Sequence, residues 1–178
     1  GKEDTNRAFF EKLFSEHEIV LLDVKRKVRV SSVRKESGVF DDEVVLWIKD
    51  ANISREQFLE VLVKTIKKWA LTALQEEFEL KLAQMGPFRY PYRKFFLTSA
   101  KTRWGSCSSK GNLNFNCLLM LAPPEVLDSV VVHELCHRRE MNHSQKFYAE
   151  VLRVFPTYRT QEKWLKEHGG ELLKRLRD

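Results

Sequence analysis

With 178 residues, 43% of them hydrophobic and 31% charged, the chain has the size and balance of one globular domain, or a domain with a small subdomain, able to form a core without disulfide staples. No apolar run approaches the roughly 18 residues of a membrane helix and no signal-peptide pattern opens the chain, which argues against a membrane protein; fibre, disordered chain and disulfide scaffold are excluded by composition. The net charge of +6 divides into +2 over residues 1–100 (18 Lys and Arg against 16 Asp and Glu) and +4 over residues 101–178 (13 against 9), an interleaved excess that reads as a solvated surface and supports a nucleic-acid or phosphate partner only weakly.

The first 18 residues form an extension or short helix, with Phe9, Phe10, Leu13 and Phe14 on one side. Residues 19–50 alternate in the manner of strands: Val24, Val28 and Val30 stand between charges, and Val44, Leu46 and Ile48 alternate with Val45 and Trp47, with a turn near Ser37-Gly38. A long helix is predicted over 52–85. Asn52 or Ser54 offers its cap, Phe58, Leu62, Ile66, Trp69 and Ala73 form its apolar stripe, and Gly86-Pro87 ends it. A second strand region covers 94–120, as Lys94–Ser99, Lys101–Cys107 and Leu113–Met120, with a turn at Ser109–Asn112. Pro123-Pro124 opens a strongly apolar helix expected to run from 123 to 141, and further helices fill 144–177. The fold class is α+β: a small, mostly antiparallel sheet packed against helices, in one domain over 19–178.

Residues 133–137 read His-Glu-Leu-Cys-His. Histidines four apart share a helix face with Cβ atoms about 5–6 Å apart, so both imidazoles can reach one ion. Glu134 beside them can take the proton of a metal-activated water and deliver it to the leaving group. A third ligand must come from His143, Glu150 or Glu140. Glu140 shares the helix face but lies along its axis, where ligands converge poorly, and Glu150 suits a His-His-Glu site. His143, just past the expected helix end, can fold back onto the ion, and is preferred. The three cysteines, Cys107, Cys117 and Cys136, form no CxxC pair and read as small buried groups in a reducing compartment, for which the cytoplasm is the expectation. Cys136 is poorly placed to be a fourth ligand, which favours an open, catalytic site over a closed structural one. His17 and His168 have no partners at ligand spacing and are expected to face solvent.

The run Lys101-Thr102-Arg103-Trp104-Gly105-Ser106-Cys107, then Gly111–Asn116, Ala122-Pro123-Pro124, the His133–His137 segment and Asn142-His143-Ser144 with Phe147 resembles the YgjP-like metal-dependent hydrolases. These are zincin-type metallopeptidases related to the SprT/Spartan proteases. The resemblance is strong over 94–166, looser over 19–85 and absent from the first 18 residues. It implies a zincin-like fold, one zinc ion per chain held by His133, His137 and His143, and Glu134 as the catalytic base. The spacing of the three histidines also matches metzincins, but Glu140 stands where they have glycine and no Met-turn is identifiable. In zincins an extended peptide adds along an exposed edge strand; Leu113–Cys117 is one reading of that strand, and a plain hairpin strand in the core is the other.

Around the motif, Gly105 permits a tight bend, Trp104 and Cys107 are expected to pack under the site, and Arg103 faces either a bound anion or a nearby acid. Tyr148, Tyr158 and Arg159 are candidates to stabilise an oxyanion, with packing between helices the plainer reading of the tyrosines. The leading functional expectation is a zinc-dependent metallopeptidase acting on a peptide or protein. The alternatives are a metal-dependent nucleotide pyrophosphohydrolase, for a nucleoside triphosphate such as UTP, and a non-catalytic zinc-containing binding module that could be DNA-associated. The absence of a Walker-type loop and of a carboxylate cluster for magnesium weighs against the nucleotide.

Overall fold

The computed structural model describes residues 2–50, 52–98 and 103–176; Ser99, Lys101 and Thr102, placed above in strands, lie outside the described residues. In chain order the elements are α1 (Lys2–Ser15), β1 (Glu18–Leu21), β2 (Val24–Ser31), β3 (Gly38–Val39), β4 (Glu43–Trp47), α2 (Arg55–Met85), β5 (Lys94–Thr98), β6 (Gly105–Cys107), β7 (Asn112–Asn116), α3 (Pro124–Cys136), α4 (Gln145–Val154) and α5 (Tyr158–Arg175). The architecture is α+β.

Among the described residues the strands divide into two small sheets. One has the order β1-β2-β4-β3 and the other β5-β7-β6. Each mixes directions: β2 runs parallel to β4 and β5 parallel to β7, while the remaining pairs are antiparallel. The single sheet expected from the sequence is thus two sheets, and β7 is a central strand. The plain-hairpin reading of Leu113–Cys117 is the one that fits, and the edge strand beside α3 is β6.

Between the sheets runs α2, 31 residues and about 46 Å long at 1.5 Å per residue. Its start follows from a capping box: Ser54 Oγ accepts from the Gln57 amide at 3.2 Å, and Gln57 Oε1 accepts from the Ser54 amide at 3.0 Å. Its end follows from Gly86, whose φ of 98° lies in the left-handed region that glycine tolerates. Leu62, Ile66, Ala70, Leu74 and Phe78 are fully buried along one stripe, each of the larger ones contributing roughly 1.5–3 kcal/mol of burial. The stripe joins β4, β7 and α3 in one core that includes Leu46, Leu113, Phe115, Val131 and Leu135.

Two expected boundaries move. The strand expected over 113–120 stops at Asn116, whose Oδ1 accepts from the Leu118 amide at 3.0 Å and turns Cys117–Leu121 into a 3-10 helix. A continuous apolar run carries no period to distinguish the two conformations. The helix expected to reach 141 ends at Cys136. The backbone amides of Arg138 and Arg139 donate to the carbonyls of Leu135 and Cys136, at 2.9 and 3.0 Å, in a tightened last turn that sends the chain away from the helix axis. At the other end of the chain, α1 lies against α5: Arg175 donates to Asn6 Oδ1 at 2.9 Å and its guanidinium sits 5.1 Å from the Phe9 ring centre.

Candidate metal and catalytic centre

Helix α3 is apolar on nearly all sides, with Val126, Leu127, Val130, Val131, Val132 and Leu135 buried, and it carries His133 and His137 one turn apart at its C-terminal end. The early end of the helix is what makes a third histidine reachable. The chain leaves the axis after His137 and brings back His143, and Ser144 then caps α4 by accepting from the Phe147 amide at 3.3 Å. Phe147, fully buried, lies beneath all three imidazoles, with ring centres 4.9, 4.4 and 5.1 Å from those of His133, His137 and His143.

The three rings point their Nε2 atoms at one place. His133 Nε2 is 3.2 Å from His137 Nε2 and 3.2 Å from His143 Nε2. Nitrogens each about 2.1 Å from one tetrahedral ion stand about 3.4 Å apart, so the spacing fits a metal. The hydrogen bonding around the rings supports that fit. His137 Nδ1 lies 3.0 Å from the Glu140 carbonyl, which can only accept, so Nδ1 carries the proton and Nε2 is a bare lone pair. His133 Nδ1 lies 2.7 Å from Tyr158 Oη, whose own proton goes to Glu162 Oε2 at 3.1 Å. His133 is therefore also protonated at Nδ1 and bare at Nε2. Burial, then His137 and His143, push the His133 pKa down to about 3, and burial also lowers that of His137, so both shifts favour the neutral ring. Bare lone pairs facing each other repel unless a cation lies between them. Among the described residues these three histidines form the one group of three or more His, Cys, Asp or Glu side chains close enough to hold an ion.

Glu134 is buried at 6% exposure, on the side of α3 that faces β6. Burial pushes its carboxyl up to about 8; a cation held by the imidazoles acts in the opposite sense and favours the carboxylate. Gly105 of β6 passes so close that a Cβ there would stand 2.9 Å from Glu134 Oε2 and 3.0 Å from Val130 Cγ1. Beyond Gly105, β6 is the edge strand of its sheet among the described residues. The Asn116 amide donates to the Trp104 carbonyl at 2.9 Å, the Ser108 amide donates to the Asn112 carbonyl at 3.0 Å, and Ser106 stands opposite Asn114. By the alternation of an antiparallel ladder, the N–H and C=O groups of Gly105 and Cys107 face away from β7.

Next to Glu134 opens a cleft of about 400 Å³ between α3, β6 and α5, with Trp104, Val130 and Leu165 among its walls. Trp104 packs with Ala122, Val126 and Leu172 and against Gly169, where a Cβ would stand 3.1 Å from its Nε1. Cys107 is half-buried on β6 near Arg138, and Arg103 is exposed at the cleft.

The two carboxylates weighed as ligands stand elsewhere. Glu150 accepts from Tyr90 and from Arg153 at 2.9 Å, with Arg89 and Arg139 at 3.7 and 3.8 Å, and the Arg153 bonds above all hold it down at about 2. Glu140 meets His137 through its backbone carbonyl. Cys136 is fully buried, its thiol pushed up to about 12 by burial, and His17 is exposed as expected, while His168 is half-buried against Trp164 and Glu167. Sequence reasoning did not assign Tyr158 and Glu162 to His133. Their i, i+4 spacing at the start of α5 was the available signal, but which helix would face them was not. Tyr148 and Arg159 stack on each other, the guanidinium 4.2 Å from the ring centre.

A family model described as YgjP-like, metallopeptidase domain, matches residues 2–168, so the match takes in α1 as well. Among solved structures, the crystal structure of the metallopeptidase zymogen of Pyrococcus abyssi abylysin aligns with a TM-score of 0.46 and 21% identity, covering 53% of this chain and 93% of that one. No curated protein matches the sequence.

Proposed function

The chain belongs to the YgjP-like metallopeptidase family, and on that premise we propose that it is a zinc-dependent peptidase with His133, His137 and His143 as the metal ligands and Glu134 as the general base. The observation that carries the reading is the convergence of the Nε2 atoms at 3.2 Å while the Nδ1 protons of His133 and His137 are committed elsewhere. Three histidines leave a fourth position open, as catalytic rather than structural sites do. When bound, the ion polarises the water and the scissile carbonyl.

The chain's own residues do the rest. The outward N–H and C=O groups of Gly105 and Cys107 bind an extended peptide as an added strand. Glu134, held against Gly105, takes a proton from the attacking water as its oxygen bonds to the carbonyl carbon. As the C–N bond breaks, Glu134 delivers that proton to the departing amine nitrogen. Tyr158 keeps His133 in the tautomer that presents Nε2, and the Glu140 carbonyl does the same for His137.

Two measurements test this together. Metal content by mass spectrometry is expected to show about one zinc per chain, lost in His137→Ala and in His143→Ala. Glu134→Gln is expected to keep the zinc and lose roughly 10²–10⁴-fold in hydrolysis of fluorogenic peptides. A fully active Gln variant sinks the role given to Glu134, and a chain that binds no metal after zinc is added back sinks the whole reading.

A further inference from the structure

The cleft beside Glu134 has a charge pattern that proton transfer does not use. Its lining includes two cations, Arg103 and Lys166, and neither makes an ion pair among the described residues. It also includes two acids. Glu134 is the proposed base. Glu162 is already committed through both oxygens, Oε2 to Tyr158 and Oε1 to Arg159, each at 3.1 Å. Its charge is therefore met by Arg159, which does not line the cleft. Apolar Trp104, Val130 and Leu165 line the same cleft, together with Ser129, His133 and Tyr158. A pocket with apolar wall residues and two cations that pair with no acid among the described residues fits a short aliphatic stem ending in an anion.

We propose that this pocket is a carboxylate-recognising subsite, with Arg103 and Lys166 as its specificity-determining residues, so that the enzyme prefers peptides presenting a carboxylate next to the scissile bond. The inference rests on the peptidase reading of the same cleft. The carboxylate has two chemical sources, the side chain of a Glu or Asp residue or the free C-terminus of a short peptide. Both satisfy an arginine fork and a lysine point charge. The pocket adjoins the base directly, so the residue it holds is within a position or two of the bond that breaks. A Gln isostere fills the same volume without the charge, and the comparison of Glu with Gln reads the charge alone.

The test uses the full zinc-loaded chain and fluorogenic peptides that carry Glu, Gln or Lys at each of the two positions on either side of the cleaved bond. Each peptide is made with a free and with an amidated C-terminus. Binding of the same peptides to the Glu134→Gln variant is measured in parallel by fluorescence anisotropy. At one position Glu is expected to exceed Gln by roughly tenfold or more in kcat/KM and in affinity, as a charge-assisted bond exceeds a neutral one. The advantage is expected to shrink as salt is raised, because both cations reach solvent. Arg103→Gln and Lys166→Gln should each bring the Glu-to-Gln ratio towards one, and Lys166→Glu should favour the Lys peptide. Preference that follows the free terminus instead, and disappears on amidation, assigns the carboxylate to the chain end.

A Glu-to-Gln ratio within twofold at every position, with no effect of the terminus, overturns the proposal while leaving a peptidase. So does a ratio that the Arg103 and Lys166 variants do not move, or tighter binding of a nucleoside triphosphate than of any carboxylate peptide. If no peptide is cleaved, the peptidase reading fails, and anisotropy on the Glu134→Gln chain still decides whether the pocket selects a carboxylate.

Discussion

Replacing Tyr158 by Phe removes a single oxygen from a residue that is 4% exposed, and the cost is expected to fall on metal binding. That oxygen accepts from His133 Nδ1 at 2.7 Å and donates to Glu162 at 3.1 Å. Its loss leaves the Nδ1 proton buried without an acceptor, a penalty of about 1–3 kcal/mol. It also releases the tautomer that presents Nε2 to the ion. Loss of such an outer partner typically weakens a metal site by roughly 10–100-fold, which corresponds to about 1.4–2.7 kcal/mol, so the two routes to the magnitude agree. The assay is zinc affinity near neutral pH by competition with a chromogenic chelator. Thermal unfolding in excess chelator separates lost packing from lost ligation. Glu162→Gln retains an acceptor for the tyrosine and is expected to cost less than Tyr158→Phe. Zinc affinity of the Phe variant within twofold of the parent would refute the argument that Tyr158 acts through His133.

Other consequences can be measured directly. Gly105→Ala places a Cβ 2.9 Å from Glu134 Oε2, so the strand or the carboxylate must shift; kcat is expected to fall about tenfold or more with metal content unchanged, and a fully active Ala variant would contradict the close approach. Glu150 has its pKa held at about 2, below its ordinary 4.5, so its stabilisation is complete above about pH 4.5 and is lost as pH falls towards 2. Denaturant titrations should therefore show a flatter acid limb for Glu150→Gln. The stability difference above pH 4.5 should be on the order of 1–2 kcal/mol, discounted because the three arginines are half exposed, and a difference that persists at pH 2 would remove the ion-pair explanation.

The parts of the molecule that could be read from sequence are those specified by neighbours in the chain. Ser54 and Gln57 sit three apart at the start of α2 and Gly86-Pro87 sit at its end; the helix expected over 52–85 ends at Met85 as read and begins at Arg55, three residues later, because Ser54 rather than Asn52 is the cap. His133 and His137 are paired by the helical repeat itself, and His143 is close enough to return. What could not be read depended on remote partners. Cys117–Leu121 is apolar at every position, and its 3-10 form is decided by the Asn116 side chain. Whether β7 is an edge or a centre depends on β5 lying parallel to it, from residues about 18 positions earlier. Glu150 is barred from the metal by Tyr90 and Arg89, about 60 positions upstream. Tyr158 gains its role only because α5 packs back on α3.

Helix α2 is in contact with β3 and β4 of one sheet, with β5 of the other, and with α3. Among the described residues neither sheet has a second helix of comparable length against it. The molecule therefore has no half that can be discarded as ornament: a lesion in Val44 or Leu46, far along the chain from the histidines, loosens the same beam against which the catalytic helix is braced. Mutational tolerance should accordingly follow distance from α2 rather than distance from the metal.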